Sequence, residues 1–402
     1  MSETRTGVCA AQGFRAAGVP CGLKAKDQPD LAVIISDRPA SAFGLFTTNL
    51  ICGAPVVVTR RHLEASASGM RAIVVNAGNS NACTGSRGER DAEEMCRLVA
   101  DGIGANATEV CVASTGVIGR PLPMEKIGKG IVRALVEASP DGGDSVAQAI
   151  MTTDTVPKQA VRSITIEGRT VSIGGVAKGA GMIAPRLATM LCFITTDAAI
   201  APDDLCPLLL RAADVSFNRV TIDGDTSTSD MLLLLANGAS GIGPLVPGTA
   251  ECTAFGEAVA EVCRELAQMI ARDGEGATKF VTVQVTGAPD GRAASQAART
   301  VAESPLVKTA LFGGDPNWGR IAAALGRSGV TFDPNRLRIW VDDLLLFEDG
   351  MPAAFDLREA ERHFREKVIT IRADLGAGSG EAEVYTCDLS YEYVKINAEY
   401  TT

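Results

Sequence analysis

Hydrophobic and polar positions along this chain follow two rhythms. Short apolar runs bounded by turn residues, Leu31 to Ile35, Ala72 to Val75 and Val110 to Ala113, read as buried strands. Leu191 to Thr195 and Phe280 to Val285 read the same way. Ser163 to Ile166 and Thr170 to Ile173 flank Glu167-Gly168-Arg169, the pattern of a hairpin. Between these runs the spacing becomes helical, from about Glu89 to Ala100 and again over Phe255, Val259, Val262, Cys263, Leu266, Met269 and Ile270. The second helix is expected to stop near Asp273-Gly274. Gly174 to Gly181 is glycine-rich and expected to be irregular. Further on come helices over Ala293 to Glu303 and Asn317 to Gly326. Strands are expected over Arg338 to Val341, Val368 to Arg372 and Glu383 to Asp388, followed by a strand-like Tyr393 to Asn397. The alternation makes the class mixed α and β, with a smaller second domain from about residue 287.

Composition narrows the functions available. The chain has 402 residues, 46% of them hydrophobic, enough for a sizeable core. Its formal charge of −10 repels phosphate backbones and anionic membranes, so small metabolites are better partner candidates than nucleic acid. No apolar run approaches the roughly 18 residues of a membrane span. The N-terminal stretch lacks a basic region followed by an apolar one, and the expected location is the cytoplasm. The eleven cysteines include no C-x-x-C pair and read as reduced thiols. Asp223-Gly224-Asp225-Thr226-Ser227-Thr228 lacks the length and terminal acid of a calcium hand and reads as a structured turn close to the site. Gly313-Gly314-Asp315-Pro316-Asn317 lacks the ending of a phosphate loop. No metal or organic cofactor is therefore expected.

Only two histidines occur, His62 and His363, which pushes any nucleophilic mechanism toward a different base. The segment Lys178 to Asp197 offers one. It is a glycine-containing loop, then Pro185, then Thr189 at the head of an apolar strand. A threonine there could attack the carbonyl of Ala188. An N-to-O acyl shift and hydrolysis would leave Thr189 as a new N-terminus. Its α-amine, with a pKa of about 7.7–8.0, could then serve as base to its own hydroxyl. Taken alone, such a threonine is more commonly just the first residue of a strand. Thr115-Gly116 follows a strand and is an ordinary turn unless its donors face a developing oxyanion. Lys178, by itself, is a solvated lysine or a carboxylate-holding one. Glu275 stands between two glycines at a helix end, where a carboxylate does not help the helix dipole and suits a cationic ligand better.

The order and spacing of these pieces resemble the ornithine acetyltransferase (glutamate N-acetyltransferase) family over nearly the whole chain. The carrying motifs are Phe14 to Gly18 with Gly22-Leu23-Lys24, Phe46 to Asn49, Asn76 to Gly85, and Met151 to Thr155 with Pro157-Lys158. Lys178 to Asp197, Thr221 to Ser227, Asp273 to Lys279, Gly313 to Arg320 and the ending Asp388 to Thr402 complete the set. Arg186 and Leu187 stand where the family more often has Asn-Met. The resemblance implies a four-layer αββα sandwich similar to N-terminal nucleophile hydrolases, with a smaller C-terminal α/β domain. It also implies cleavage between Ala188 and Thr189. The expected pieces are an α chain, 1–188, and a β chain whose part 189–286 completes the core and whose part 287–402 forms the second domain. Thr189 becomes the nucleophile, and Thr115 and Gly116 the oxyanion hole. Thr155, Lys178, Thr189, Glu275, Asn397 and the final Thr402 become substrate contacts. The implied reaction is two-step transfer of acetyl from N2-acetyl-L-ornithine to L-glutamate, with association of αβ units. The resemblance leaves open whether acetyl-CoA is a second donor. A self-processing amidase or aminopeptidase of related fold is the alternative.

Overall fold

The computed structural model describes residues 5–24, 27–183 and 190–399. Its first sheet contains β1 (Phe14–Val19), β2 (Leu31–Phe46), β3 (Met70–Asn79), β4 (Val110–Val117), β5 (Lys158–Ile166), β6 (Arg169–Lys178), β7 (Leu191–Thr196) and β8 (Met231–Ala236). The strand order is β4-β3-β2-β8-β7-β6-β5, with β1 pairing β2. The long strand β2 bridges two halves of this sheet. Leu31 to Ile35 pair with β3, whereas Ser41 to Phe46 pair with β8.

Alternation along the strands shows how the halves stack. Ile73 and Val75 of β3 join Phe193 of β7 and Leu233 and Leu235 of β8 in one apolar layer. The other face of β3, Ala72 and Val74, packs on Met95, Val99, Ile127 and Ile131. These come from α2 (Gly85–Ile103) and α3 (Met124–Glu137), which follow α1 (Ala54–Ser66). The other face of β7 and β8, Cys192, Ile194, Leu232 and Leu234, packs on Leu205, Phe255, Val259 and Leu266. These belong to α5 (Pro202–Asp214) and α6 (Ala250–Arg272), which follow the short α4 (Gly143–Ala149). The period of two along each strand thus gives helices, sheet, sheet, helices, the expected four layers.

A second sheet of six strands follows, in the order β12-β11-β10-β13-β9-β14. Its members are β9 (Phe280–Ala288), β10 (Arg338–Val341), β11 (Leu344–Glu348), β12 (Met351–Pro352), β13 (Val368–Asp374) and β14 (Gly380–Cys387). Val281, Val283 and Val285 of β9 pack on Ala294, Ala297 and Val301 of α7 (Gly291–Ala302). The first strand of this sheet in chain order, β9, begins at Phe280. Three more helices, α8 (Pro305–Gly313), α9 (Trp318–Gly326) and α10 (Leu357–Arg365), cover it, and α11 (Tyr391–Glu399) closes the described chain.

Two local expectations give way. Gly174 to Lys178 is regular strand within β6, with Gly174 to Ala177 paired to both β5 and β7 and Lys178 to β7. The glycines there serve close approach: a Cβ on Gly174 would stand 1.9 Å from the Gly7 carbonyl oxygen, and one on Gly175 3.0 Å from Leu266 of α6. Tyr393 to Asn397 is helical, within α11. The Ser390 hydroxyl accepts from the Glu392 N–H at 3.2 Å at the helix start, and hydrogen bonds from Tyr393 and Asn397 on one face replace the pairing that β-propensity suggested.

Candidate active site

Strand ends from both halves of the first sheet meet at a cleft. Thr115 and Gly116 line it from the end of β4, Lys178 and Gly179 from the end of β6, and Met190 and Leu191 from the start of β7. Asp223, Asp225 and Ser227 to Asp230 come from the turn before β8. Glu275 follows α6, and Tyr393 and Asn397 belong to α11.

The Asn76 to Gly85 loop builds the Thr115 corner from its own polar groups. The Ser114 hydroxyl donates to the Asn76 Oδ1 at 2.6 Å, and the Asn76 Nδ2 donates to the Asn79 carbonyl at 2.8 Å. The Asn81 N–H donates to the Asn79 Oδ1 at 2.9 Å. Buried backbone is thereby satisfied where the β3 ladder becomes irregular. Gly116 has φ +126°, and a Cβ there would stand 2.4 Å from the Gly78 carbonyl carbon, so only glycine fits.

The Lys178 ammonium donates to the Thr152 hydroxyl at 2.6 Å and to the Thr115 hydroxyl at 3.3 Å. Thr115 accepts there and keeps its own hydrogen to donate elsewhere. Burial lowers the Lys178 pKa, against the attraction of Asp154. Behind Lys178 lies a buried ion cluster. The Lys158 ammonium reaches Asp154 at 2.7 Å and Asp273 at 2.5 Å. Asp154 also accepts from the Gly179 N–H at 2.7 Å and the Thr152 N–H at 2.9 Å, which fixes the backbone after Lys178 and that of its partner Thr152. Burial opposes the charge of Asp154, but Lys178 and Lys158 hold its pKa well below the usual carboxylate range.

The far side of the cleft is acidic. Glu275 is nearly buried, and its carboxylate accepts from the Asn397 Nδ2 at 2.8 Å. A Cβ on Gly181 would stand 2.4 Å from that carboxylate, so the second glycine of Lys178-Gly179-Ala180-Gly181 makes room for it. Asp230 is 2% exposed and its Oδ2 has no hydrogen-bond partner among the described residues. Burial raises its pKa well above the ordinary value, with Ser227 and Lys178 offsetting this only in part.

Thr115, Gly116, Lys178, Glu275 and Asn397 are thus brought together. Thr155 is exposed and not among the cleft-lining residues: its hydroxyl and its N–H both donate to Asp273. Ala188, Thr189 and Thr402 lie outside the described residues. The turn at Asp223 to Thr228 does line the cleft, as expected. Sequence reasoning passed over Asp154, Lys158 and Asp273. Two carboxylates around one lysine were legible in principle from the four-residue spacing of Asp154 and Lys158, but Asp273 lies 115 positions away. Among the described residues, no group of three His, Cys, Asp or Glu side chains is placed to hold a metal. No described helix is long and apolar enough to cross a membrane.

The model of the ArgJ family matches residues 15–402. The chain belongs to the ArgJ family. It is 51% identical over 398 residues to the arginine biosynthesis bifunctional protein ArgJ of Symbiobacterium thermophilum, covering 98% of each chain. It is 48% identical over 393 residues to that of Geobacter sulfurreducens, covering 97% of this chain and 99% of the relative. Among solved structures it is similar to the ArgJ protein of Bacillus halodurans, with a TM-score of 0.50 and 39% identity. That match covers 52% of this chain and 98% of the solved one. The resemblance read from the sequence holds at the level of the family.

Proposed function

We propose that this ArgJ-family enzyme cuts its own chain between Ala188 and Thr189. The freed threonine then carries acetyl from N2-acetyl-L-ornithine to L-glutamate. The observation that carries the reading is the convergence of Thr115, Gly116, Lys178 and Glu275 on one cleft, whose lining includes Met190, the residue after Thr189.

Thr189 Oγ attacks the Ala188 carbonyl, the peptide C–N bond breaks, and the hydroxyl proton goes to the Thr189 nitrogen. Water then cleaves the ester, leaving the Ala188 carboxylate and the threonine hydroxyl. In turnover the Thr189 α-amine takes the Oγ proton as Oγ attacks the acetyl carbonyl. Thr115 and Gly116 donate to the oxyanion. The ornithine amine leaves with the proton, and an acetyl ester remains on Thr189. The glutamate amine attacks that ester, the C–O bond breaks, and Oγ regains a proton. Glu275 and its acidic neighbours suit the cationic side chain of ornithine, while Lys178 suits a substrate carboxylate.

Chain length supports the cut. The Bacillus halodurans match spans nearly all of that chain and about half of this one. Residues 1–188 and 189–402 are each about half of the sequence. The relatives' shared description as bifunctional supports acetyl-CoA as a second acetyl donor for glutamate. Retention of the pieces as an αβ unit, and assembly of such units, belong to the same reading.

Intact mass and N-terminal sequencing test it. The expected second chain begins Thr-Met-Leu-Cys and gains one acetyl group on incubation with N-acetylornithine alone. Initial rates over both substrates give parallel double-reciprocal lines. An uncut wild-type protein that is active overturns the threonine mechanism. Intersecting lines with no acetylated chain overturn the covalent one.

A further inference from the structure

The strand that leads into the proposed junction ends at Lys178, and the strand that leaves it begins at Leu191. The last described residues upstream, Met182 and Ile183, belong to neither strand, yet they are tightly held. The Asp223 carboxylate accepts from the Met182 N–H at 2.6 Å through one oxygen and from the Ile183 N–H at 2.8 Å through the other. The Ile222 N–H donates to the Ile183 carbonyl at 2.7 Å, and Ile183 forms an isolated antiparallel bridge with Thr226. Downstream, the Met190 carbonyl accepts from the Met231 N–H at 2.8 Å. Both flanks of the junction are therefore pinned to one stretch of chain, 222–231.

Met182 has φ +55°. This left-handed region is costly for a residue with a Cβ and persists only where surrounding contacts over-determine it. The two N–H bonds to Asp223 supply those contacts. Asp223 also accepts from the Asp225 N–H at 3.2 Å and the Tyr393 hydroxyl at 3.4 Å. Its two oxygens are thus already committed to main-chain donors, the bonding pattern of an anchor.

We propose that Asp223 is a positioning residue for self-cleavage, holding the upstream flank of the Ala188–Thr189 junction through the Met182 and Ile183 N–H groups. The proposal rests on the self-cleaving reading above. Asp223 acts through the Met182 and Ile183 N–H groups it holds. It limits the conformations open to the chain that must present the Ala188 carbonyl to the next residue's hydroxyl, and so lowers the entropy lost on reaching attack geometry.

The test is a pulse-chase of the full chain made by cell-free translation, following precursor and products by mass. Asn at 223 keeps the shape but has one acceptor oxygen and no charge. Loss of a hydrogen bond to a charged group corresponds to a factor on the order of ten to a hundred, and cleavage of Asp223→Asn slows by that much. Glycine at 182 widens the conformations open to the same flank, so Met182→Gly slows cleavage too, and adding it to Asp223→Asn slows cleavage little further because both act on one constraint. A general loss of stability would instead multiply in the double variant, and melting temperatures measured in parallel separate the two. Wild type that stays uncut overturns the self-cleaving reading and this proposal with it. Wild type that cuts while Asp223→Asn cuts equally fast overturns this proposal alone. Effects of Asp223→Asn and Met182→Gly that multiply in the double variant overturn the positioning role.

Discussion

Replacing Lys158 by methionine removes a cation bonded to both Asp154 and Asp273. The Lys158 and Asp154 side chains are fully buried and that of Asp273 is 6% exposed. Breaking a buried pair by deleting one partner typically costs about 3–5 kcal/mol, because the remaining charge is left uncompensated. Two carboxylates lose a partner here, and Asp154 retains Lys178 nearby, so a cost of about 3–5 kcal/mol is expected at neutral pH. The pH dependence identifies the cause. The folded Asp154 carboxyl has a pKa below its ordinary value, so its contribution is present above the ordinary carboxylate range and is lost as pH falls through the folded value. Without Lys158 that folded pKa rises, and the gap between variant and wild type is widest near neutrality and narrows in acid. Urea unfolding at several pH values measures this. Asp273→Asn placed on Lys158→Met should recover part of the loss. Activity should fall as well, since Asp154 fixes the N–H of Gly179, next to Lys178, and that of Thr152, whose hydroxyl accepts from the Lys178 ammonium. A cost below about 1 kcal/mol, the scale of an exposed pair, or one that does not change with pH would refute this account.

Thr115→Ala should lower turnover by about 10²–10³ in correctly cut protein, and Thr115→Ser should keep most of it, as steady-state kinetics on both would show. Lys178 has a lowered pKa, so its charge is lost below the usual lysine range. The alkaline limb of kcat/KM should move upward in pH in Lys178→Arg, and an unmoved limb would assign that limb elsewhere. Asp230 has a raised pKa, so the folded state binds its proton more tightly than the unfolded chain and stability falls as pH rises from the ordinary carboxylate range toward the folded value. Asp230→Asn should therefore raise the melting temperature at neutral pH but not at pH well below that range.

The layers were legible because they depend on local periodicity. Ile73 and Val75 against Ala72 and Val74 already state which residues face which layer, once β3 is known to lie between sheet and helices. The site was legible only in part. Thr115, Gly116, Lys178, Glu275 and Asn397 stand in motifs whose order resembles a family, and the cleft collects them. The Asp154–Lys158–Asp273 cluster was not, because what makes it matter is burial together with a contact between distant parts of the chain. The glycines of β6 misled for a related reason. Composition suggested freedom, whereas Gly174 and Gly175 are there because Gly7 and α6 press against them. At α11, β-branched and aromatic residues pointed to a strand, but the hydrogen bonds to Asp223 and Glu275 are made from a helix.

The order β4-β3-β2-β8-β7-β6-β5 bears on what a cut before Thr189 would do. The strands β7 and β8 would belong to the downstream piece, sewn between β2 and β6 of the upstream one by ladders on both sides. Neither piece could leave without tearing the middle out of a shared sheet. Once cut, the pieces would separate no faster than the whole molecule unfolds, and isotopically labelled and unlabelled enzyme mixed in the native state would keep their original halves. The break would cost the assembly no permanence and would give one residue a free amine.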